Sequence, residues 1–166
     1  LWTILILSSS ITVNKSMKED FTDGSLAIYQ FTGISFEIIA LIKIVTSWLL
    51  YQLPFLVIVP LISVIFNIST EKIYNLILTM IIGSPIITIL MLIASSMMLT
   101  NRKNLTLVSL IVLPLSIPII IFSVGAVNGN EELFMPQIYI LISFLLGFLS
   151  IGPWIISACI KLALRN

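Results

Sequence analysis

Residues 38–66 read IIALIKIVTSWLLYQLPFLVIVPLISVIF, an apolar run in which Lys43 is the only charged residue. A helix rises 1.5 Å per residue and crosses a bilayer with about 20 residues, so this run is long enough to span a membrane with some tilt. The run does not alternate between apolar and polar residues, which argues against a transmembrane β-strand. The sequence therefore predicts a transmembrane helix here.

Four further apolar runs occur along the chain, separated by short polar clusters. They cover residues 1–13, 73–99, 105–127 and 135–164. The run 1–13 is too short to span a bilayer and is interpreted as the remainder of a helix whose start is missing. We therefore predict an all-α, polytopic membrane bundle, a single domain over 1–166. It has five membrane-spanning segments, the first truncated, and six are expected in the full protein.

The composition excludes several classes of protein. The 166 residues are 59% hydrophobic and 9% charged, with a mean hydropathy of +1.21. Soluble domains carry about 25% charged residues, so a soluble single domain and a disordered chain are both excluded. The net charge of +1 provides no basic surface for nucleic acid. One cysteine permits no internal disulfide, and the absence of histidine removes the commonest metal ligand and general base.

The few cationic residues predict how the helices are oriented. When successive loops are assigned to alternate sides, seven of the eight Lys and Arg residues fall on one side, and only Lys72 falls on the other. Loops rich in Lys and Arg stay in the cytoplasm. The segment 14–36, the loop 100–104 and the C-terminus are therefore predicted to be cytoplasmic.

The longest polar stretch, residues 14–36, is called the acidic segment below and contains KEDFTDGSL at 18–26. Its Asp-Gly-Ser triplet predicts a turn or a helix cap. Phe21, Leu26 and Tyr29 are spaced to form an apolar stripe on a short interfacial helix. The residues alone leave two interpretations open: a docking element for a cytoplasmic partner, or a solvated loop on the lipid headgroups.

Few other residues carry chemistry. Lys43 lies within an apolar run, where a charge is costly and suggests a function, but near its cytoplasmic end, where a lysine can snorkel to the interface. The three acidic residues Glu19, Asp20 and Asp23 lack the spacing of an EF-hand, so no metal site is predicted. No GxxxxGK[ST] motif occurs, so any ATP would be bound by a separate subunit. The chain is not predicted to be an enzyme.

Prolines and small residues are expected to shape the helices. A proline inside a helix removes a backbone donor and tends to kink it. The helix-shaping positions are Pro54, Pro60, Pro85, Pro114 and Pro118. The small-residue pairs Thr79/Gly83 and Ser143/Gly147 permit close helix approach. Bundle packing is the simpler interpretation of these pairs, and a substrate path is the alternative.

Five short motifs occur in register along nearly the whole chain. They are DxxDGSL at 20–26, followed by Lys43 and Trp48; LPF at 53–55; VPL at 59–61; GSP at 83–85; and LPLSIPIIIF at 113–122. In their order and spacing they resemble the haem exporter protein B family (CcmB), membrane subunits of the cytochrome c maturation system. The family often has prolines where this chain has Gly33, Ser35 and Glu37, so Gly33 is expected to supply the bend.

The resemblance implies a permease of the ABC-2 type, present as a homodimer in its complex and embedded in lipid. It implies the bacterial inner membrane, or the mitochondrial inner membrane if the gene is organellar. The acidic segment becomes a coupling loop that docks the ATP-binding subunit CcmA. The implied coupling residues are Glu19, Asp20, Asp23, Gly24, Ser25 and Leu26. Lys43 and Trp48 become intramembrane or partner contacts, and CcmC, CcmD and the haem chaperone CcmE become further partners.

The leading hypothesis is therefore a permease subunit of an ATP-driven complex for haem export or haem delivery to the chaperone in cytochrome c biogenesis. No cofactor is expected on this chain, since haem would be a substrate of the complex. Two alternatives remain: a permease of another ABC-2-type exporter of an amphiphilic substrate, and a membrane scaffold without a transport role.

Overall fold

The computed structural model describes residues 2–31, 33–100, 105–129 and 131–165. The described residues form helices and turns, without a strand, so the all-α prediction is confirmed. The elements are α1 Trp2–Thr22, α2 Ser25–Phe31, α3 Phe36–Ser47, a π-helical turn Trp48–Gln52, α4 Leu53–Ile65, α5 Thr70–Thr100, α6 Leu105–Asn128 and α7 Glu131–Arg165. The predicted loop 100–104 lies, apart from Thr100, outside the described residues.

Three stretches of the described chain are long and apolar enough to cross a membrane: Phe36–Ile65, Thr70–Leu99 and Glu132–Arg165. The segment Pro114–Asn128 of α6 is a shorter apolar helix. The chain is therefore a multi-pass helical membrane protein by length and composition. The count of five spans stays a prediction.

Helix α5 forms the centre of the bundle and packs against α1, α6 and α7. Most of its span is buried, whereas Phe36–Ile65 and Glu132–Arg165 are largely exposed. An apolar helix that is exposed in this way has a surface suited to lipid or to another apolar chain. The fully buried side chains of α5 include Met80, Ile86, Ile87, Ile89, Met91 and Leu92.

A π-helical turn at Trp48–Gln52 interrupts the run 38–66 without ending it. The Leu53 N–H donates to the Trp48 carbonyl, five residues earlier. Pro54 follows at once, and in a regular helix its ring would clash with the carbonyl of Leu50, four residues before it. The wider turn occurs where this clash would arise, as is typical of π-bulges. Pro60, Pro85, Pro114 and Pro118 lie inside helices that continue through them.

The acidic segment is mainly helical, whereas the sequence predicts a loop with a short interfacial helix through Phe21, Leu26 and Tyr29. Helix α1 continues past the end of the apolar run to Thr22, and α2 begins at Ser25. Gly24 (φ +74°) makes the turn between them, as the Asp-Gly-Ser triplet predicts. Gly33 (φ +73°) supplies the expected second bend before α3. Both values lie in the left-handed region that glycine adopts without a steric penalty. The polar residues therefore extend α1 beyond its apolar run and lead through the turn at Gly24 into α2.

The two small-residue pairs behave differently. A Cβ at Gly83 would lie 2.5 Å from Cη2 of Trp2, so α1 and α5 approach closely at this glycine, as predicted. A Cβ at Gly147 would meet nothing within 4 Å. The close approach predicted for Ser143/Gly147 is therefore wrong within the described chain, because this face of α7 points outward beside the exposed Leu146.

Candidate functional site

The candidate site is centred on an ion pair between Asp20, near the end of α1, and Lys43 of α3. The Lys43 side chain is 16% exposed and that of Asp20 is 33% exposed. Such a sheltered pair is costly to break, because removing one partner leaves an uncompensated charge. The acidic segment is therefore fixed to the first long membrane-crossing stretch through Asp20.

A cavity of about 410 Å³ surrounds this pair and joins four elements. Tyr29 of α2, Ile34 before α3, and Leu50 and Tyr51 of the π turn line it together with the pair. The cavity thus places the acidic segment and the π turn around one charged contact. A displacement of α1 or α2 would alter the surroundings of the π turn.

The residues next to the turn at Gly24 include both inward-facing and outward-facing side chains. Ser25 Oγ donates to the Asp20 carbonyl at 2.9 Å, and Leu26 is 1% exposed in the core. Glu19 and Asp23 are instead exposed, and Glu19 forms a long 3.8 Å pair with Lys15. The acidic residues therefore divide: Asp20 holds the membrane helix, whereas Glu19 and Asp23 form a negative surface that a partner can contact.

Trp48 and Ser84 connect the π turn to the central helix. Trp48 Nε1 donates to Ser84 Oγ at 2.9 Å. Ser84 belongs to the GSP motif and is fully buried, with Pro85 next to it. Trp48 and the GSP motif, which are separate in the sequence, are thus in direct contact.

Sequence reasoning missed two other polar links. Gln52 of the π turn donates to Ser9 of α1, and both residues are buried. An uncharged polar side chain in the middle of the run 38–66 was the available signal for Gln52. In addition, Glu37 accepts from Ser157 at 2.7 Å and from Lys161 at 2.8 Å, which ties the start of α3 to the end of α7. The available signal was that Glu37 and Lys161 carry opposite charges and lie at the predicted cytoplasmic ends of the runs 38–66 and 135–164.

Several predicted residues lie away from this arrangement. Pro60, Pro114 and Pro118 do not line the cavity around the ion pair. Within the described ranges, no group of three or more His, Cys, Asp or Glu residues could hold a metal ion.

Comparison with known proteins decides the family. The family model described as "CcmB protein" matches residues 1–163. The chain belongs to the CcmB family. This CcmB member is 30% identical to heme exporter protein B of Haemophilus influenzae, over 99% of the chain and 76% of the relative. It is 29% identical to heme exporter protein B of Bradyrhizobium diazoefficiens, over 97% and 74%. The Escherichia coli K12 relative of that name is 24% identical, over 99% and 76%. The predicted family is confirmed.

Proposed function

We propose that this chain is the membrane permease subunit of an ATP-driven complex that exports haem or delivers it to a haem chaperone in cytochrome c biogenesis. Membership of the CcmB family and relatives named heme exporter protein B support the proposal. A multi-pass apolar helical architecture agrees with a permease. The chain acts in the bacterial inner membrane, or in a mitochondrial inner membrane if the gene is organellar.

The observation that carries the proposed mechanism is the Asp20–Lys43 ion pair. The sequence has no P-loop motif, so free energy from ATP enters through a partner, CcmA. CcmA docks on the exposed face that carries Glu19 and Asp23, on the cytoplasmic side. Movement of this face pulls on α3 through Asp20 and Lys43. The acidic segment thereby works as the coupling element.

From α3 the movement reaches the centre of the bundle through the π turn. Trp48 carries it to Ser84 of α5, and Gln52 carries it back to Ser9 of α1. Helix α5 packs against α1, α6 and α7, so a shift of α5 would displace the side chains of these helices that contact it. The extra residue of a π turn offers a place where a helix can change register without unfolding.

Haem is a substrate of the complex in this proposal, held mainly by partners. The chain has no histidine, the usual axial ligand of haem iron, which favours transmission of force over ligation by this subunit. CcmC, CcmD and the chaperone CcmE are the proposed partners that handle haem. The permease itself is a homodimer of six-helix subunits of the ABC-2 type with cytoplasmic C-termini.

The proposal is tested with the full-length protein, co-expressed and co-purified with CcmA, CcmC, CcmD and CcmE. ATP turnover and release of haem-loaded CcmE are then measured in the same preparation. We expect release to require both ATP and this subunit. ATP turnover that leaves haem-loaded CcmE unchanged, in a preparation that contains every partner, would contradict the proposal. Efflux of another amphiphile would then favour a different ABC-2-type exporter.

A further inference from the structure

A second cavity, on another face of the acidic segment, lies between α1 and α5 and measures about 470 Å³. Lys15 and Lys18 are on its lining, three residues apart on one face of α1. Phe21, Met98 and Leu99 contribute carbon-rich surface to the same lining. The cavity, here called the lysine groove, therefore combines a cationic part with an apolar part.

The lysine groove is built on two helices that are fixed to each other. Ser95 of α5 donates a hydrogen bond to the Asn14 side chain of α1, and both residues line the groove. Ser95 is 3% exposed, so this contact lies at the inner end of the groove. The groove thus has a defined shape, held by a contact between the helices that form it.

The position of the groove along the helices matches the boundary of a bilayer. Met98 and Leu99 end the membrane-crossing stretch Thr70–Leu99. Lys15 follows the apolar run 1–13 by two residues. Because Asn14 meets Ser95, Met98 and Leu99 lie at about the level of Lys15 and Lys18, so this part of the groove lies at the edge of the hydrocarbon layer. Lysines close to an apolar surface at this depth are the pattern with which membrane proteins hold anionic lipids.

The charges around the groove favour an anion. Glu19 is the acidic neighbour, but its pair with Lys15 is 3.8 Å long and the Lys15 side chain is 74% exposed. An exposed pair of this kind contributes little and can yield to a phosphate. Residues 91–99 of α5 contain no charged side chain. The lining of the groove, as the described residues form it, thus contains two lysines and no acidic residue, while Glu19 and Asp23 lie outside it.

We propose that the lysine groove binds an anionic phospholipid. Its phosphodiester lies between Lys15 and Lys18, and the first part of its acyl chain lies against Met98 and Leu99. This occupant satisfies the charge, the apolar lining and the depth together. The lipid would hold the end of α1 in place on α5, and its binding does not depend on what the permease transports.

The test uses the full-length protein in its purified complex, with dioleoylphosphatidylglycerol as probe and dioleoylphosphatidylcholine as the neutral comparison. Native mass spectrometry counts bound lipid for the wild type, K15Q, K18Q and K15Q/K18Q. K72Q is the matched control, because Lys72 lies at the opposite end of α5. We expect selective binding of phosphatidylglycerol, with a loss of affinity of about fivefold for each groove lysine. K72Q should bind as the wild type does. Circular dichroism shows whether each variant is folded.

Three results would overturn the proposal. The first is unchanged phosphatidylglycerol affinity in the folded K15Q/K18Q variant. The second is binding of inorganic phosphate or of a six-carbon-chain phosphatidylglycerol with the same affinity as dioleoylphosphatidylglycerol, since the apolar lining would then have no role. The third is loss of CcmA from the K15Q/K18Q complex with no change in bound lipid, which would assign the groove to a protein partner.

Discussion

Asp20, in the last turn of α1, and Lys43, in the middle of α3, form an ion pair that is mostly sheltered from solvent. The pair joins the acidic segment to the helical stretch in which the π turn occurs. On the same side of the turn at Gly24, the neighbouring residues Glu19 and Asp23 are exposed. Asp20 thus attaches the acidic segment to α3, whereas Glu19 and Asp23 remain on the surface. The proposed coupling requires both an attachment to the membrane helices and a surface for the partner.

Replacing Lys43 with Gln should destabilise the protein, because the Asp20 carboxylate loses its partner in a sheltered position. Breaking a fully buried ion pair lowers the free energy of unfolding by several kcal/mol. Because Asp20 is partly exposed, the expected decrease here is about 1–3 kcal/mol. Thermal unfolding of the purified complex measures the loss. K72Q is the control, since Lys72 is exposed at the start of α5 and this variant should unfold within about 0.5 kcal/mol of the wild type. Equal stability of K43Q and K72Q would show that the pair contributes nothing.

Reversing the exposed charges in the variant E19K/D23K should lower recovery of CcmA without changing unfolding of this subunit. Both side chains face solvent, so the folded state loses little, whereas a cationic docking surface on CcmA would be repelled. Co-purification at two salt concentrations measures the effect. E132K is the control, because Glu132 is exposed at the start of α7. Normal recovery of CcmA with E19K/D23K would place the docking surface elsewhere.

Replacing Trp48 with Phe should weaken the attachment of the π turn to α5. The variant removes the N–H that donates to Ser84 Oγ and leaves this buried hydroxyl without that partner. Polar contacts between membrane helices contribute about 0.5–1.5 kcal/mol each. A double-mutant cycle with S84A isolates the contribution of the contact. Strictly additive effects of W48F and S84A would contradict a direct interaction.

Replacing Gly83 with Ala should destabilise the bundle by about 1–3 kcal/mol, the usual cost of overpacking a filled core. The new methyl group would lie against the Trp2 ring, which is 5% exposed and has little room to move. G147A is a matched control, because its Cβ meets nothing within 4 Å and alanine favours a helix over glycine. G147A should therefore be neutral or slightly stabilising. A G83A protein as stable as G147A would show that α1 and α5 are not in close contact there.

Much of the fold is legible in the sequence because its signals are local. Apolar runs predict the membrane helices, and the Asp-Gly-Ser triplet predicts the turn at Gly24, whereas the bend at Gly33 was expected from the family resemblance. The helical state of residues 14–22 was missed, since polarity alone does not separate a solvated helix from a loop.

The site itself depends on contacts between residues distant in sequence. Composition cannot show that Lys43 meets Asp20, or that Glu37 meets Lys161. The π turn was also missed, because a proline predicts a disturbance of the helix without specifying which form relieves the clash. Only packing of the complete chain determines these features.

The central claim is that movement passes from the acidic segment to the membrane helices through Asp20 and Lys43. The most direct measurement is ATP-dependent release of haem-loaded CcmE by reconstituted complexes that carry D20K, K43D or the exchanged pair D20K/K43D. We predict that each single variant retains CcmA but loses most release, and that the exchanged pair recovers a substantial part of it. Release at the wild-type rate from folded single variants would contradict the account.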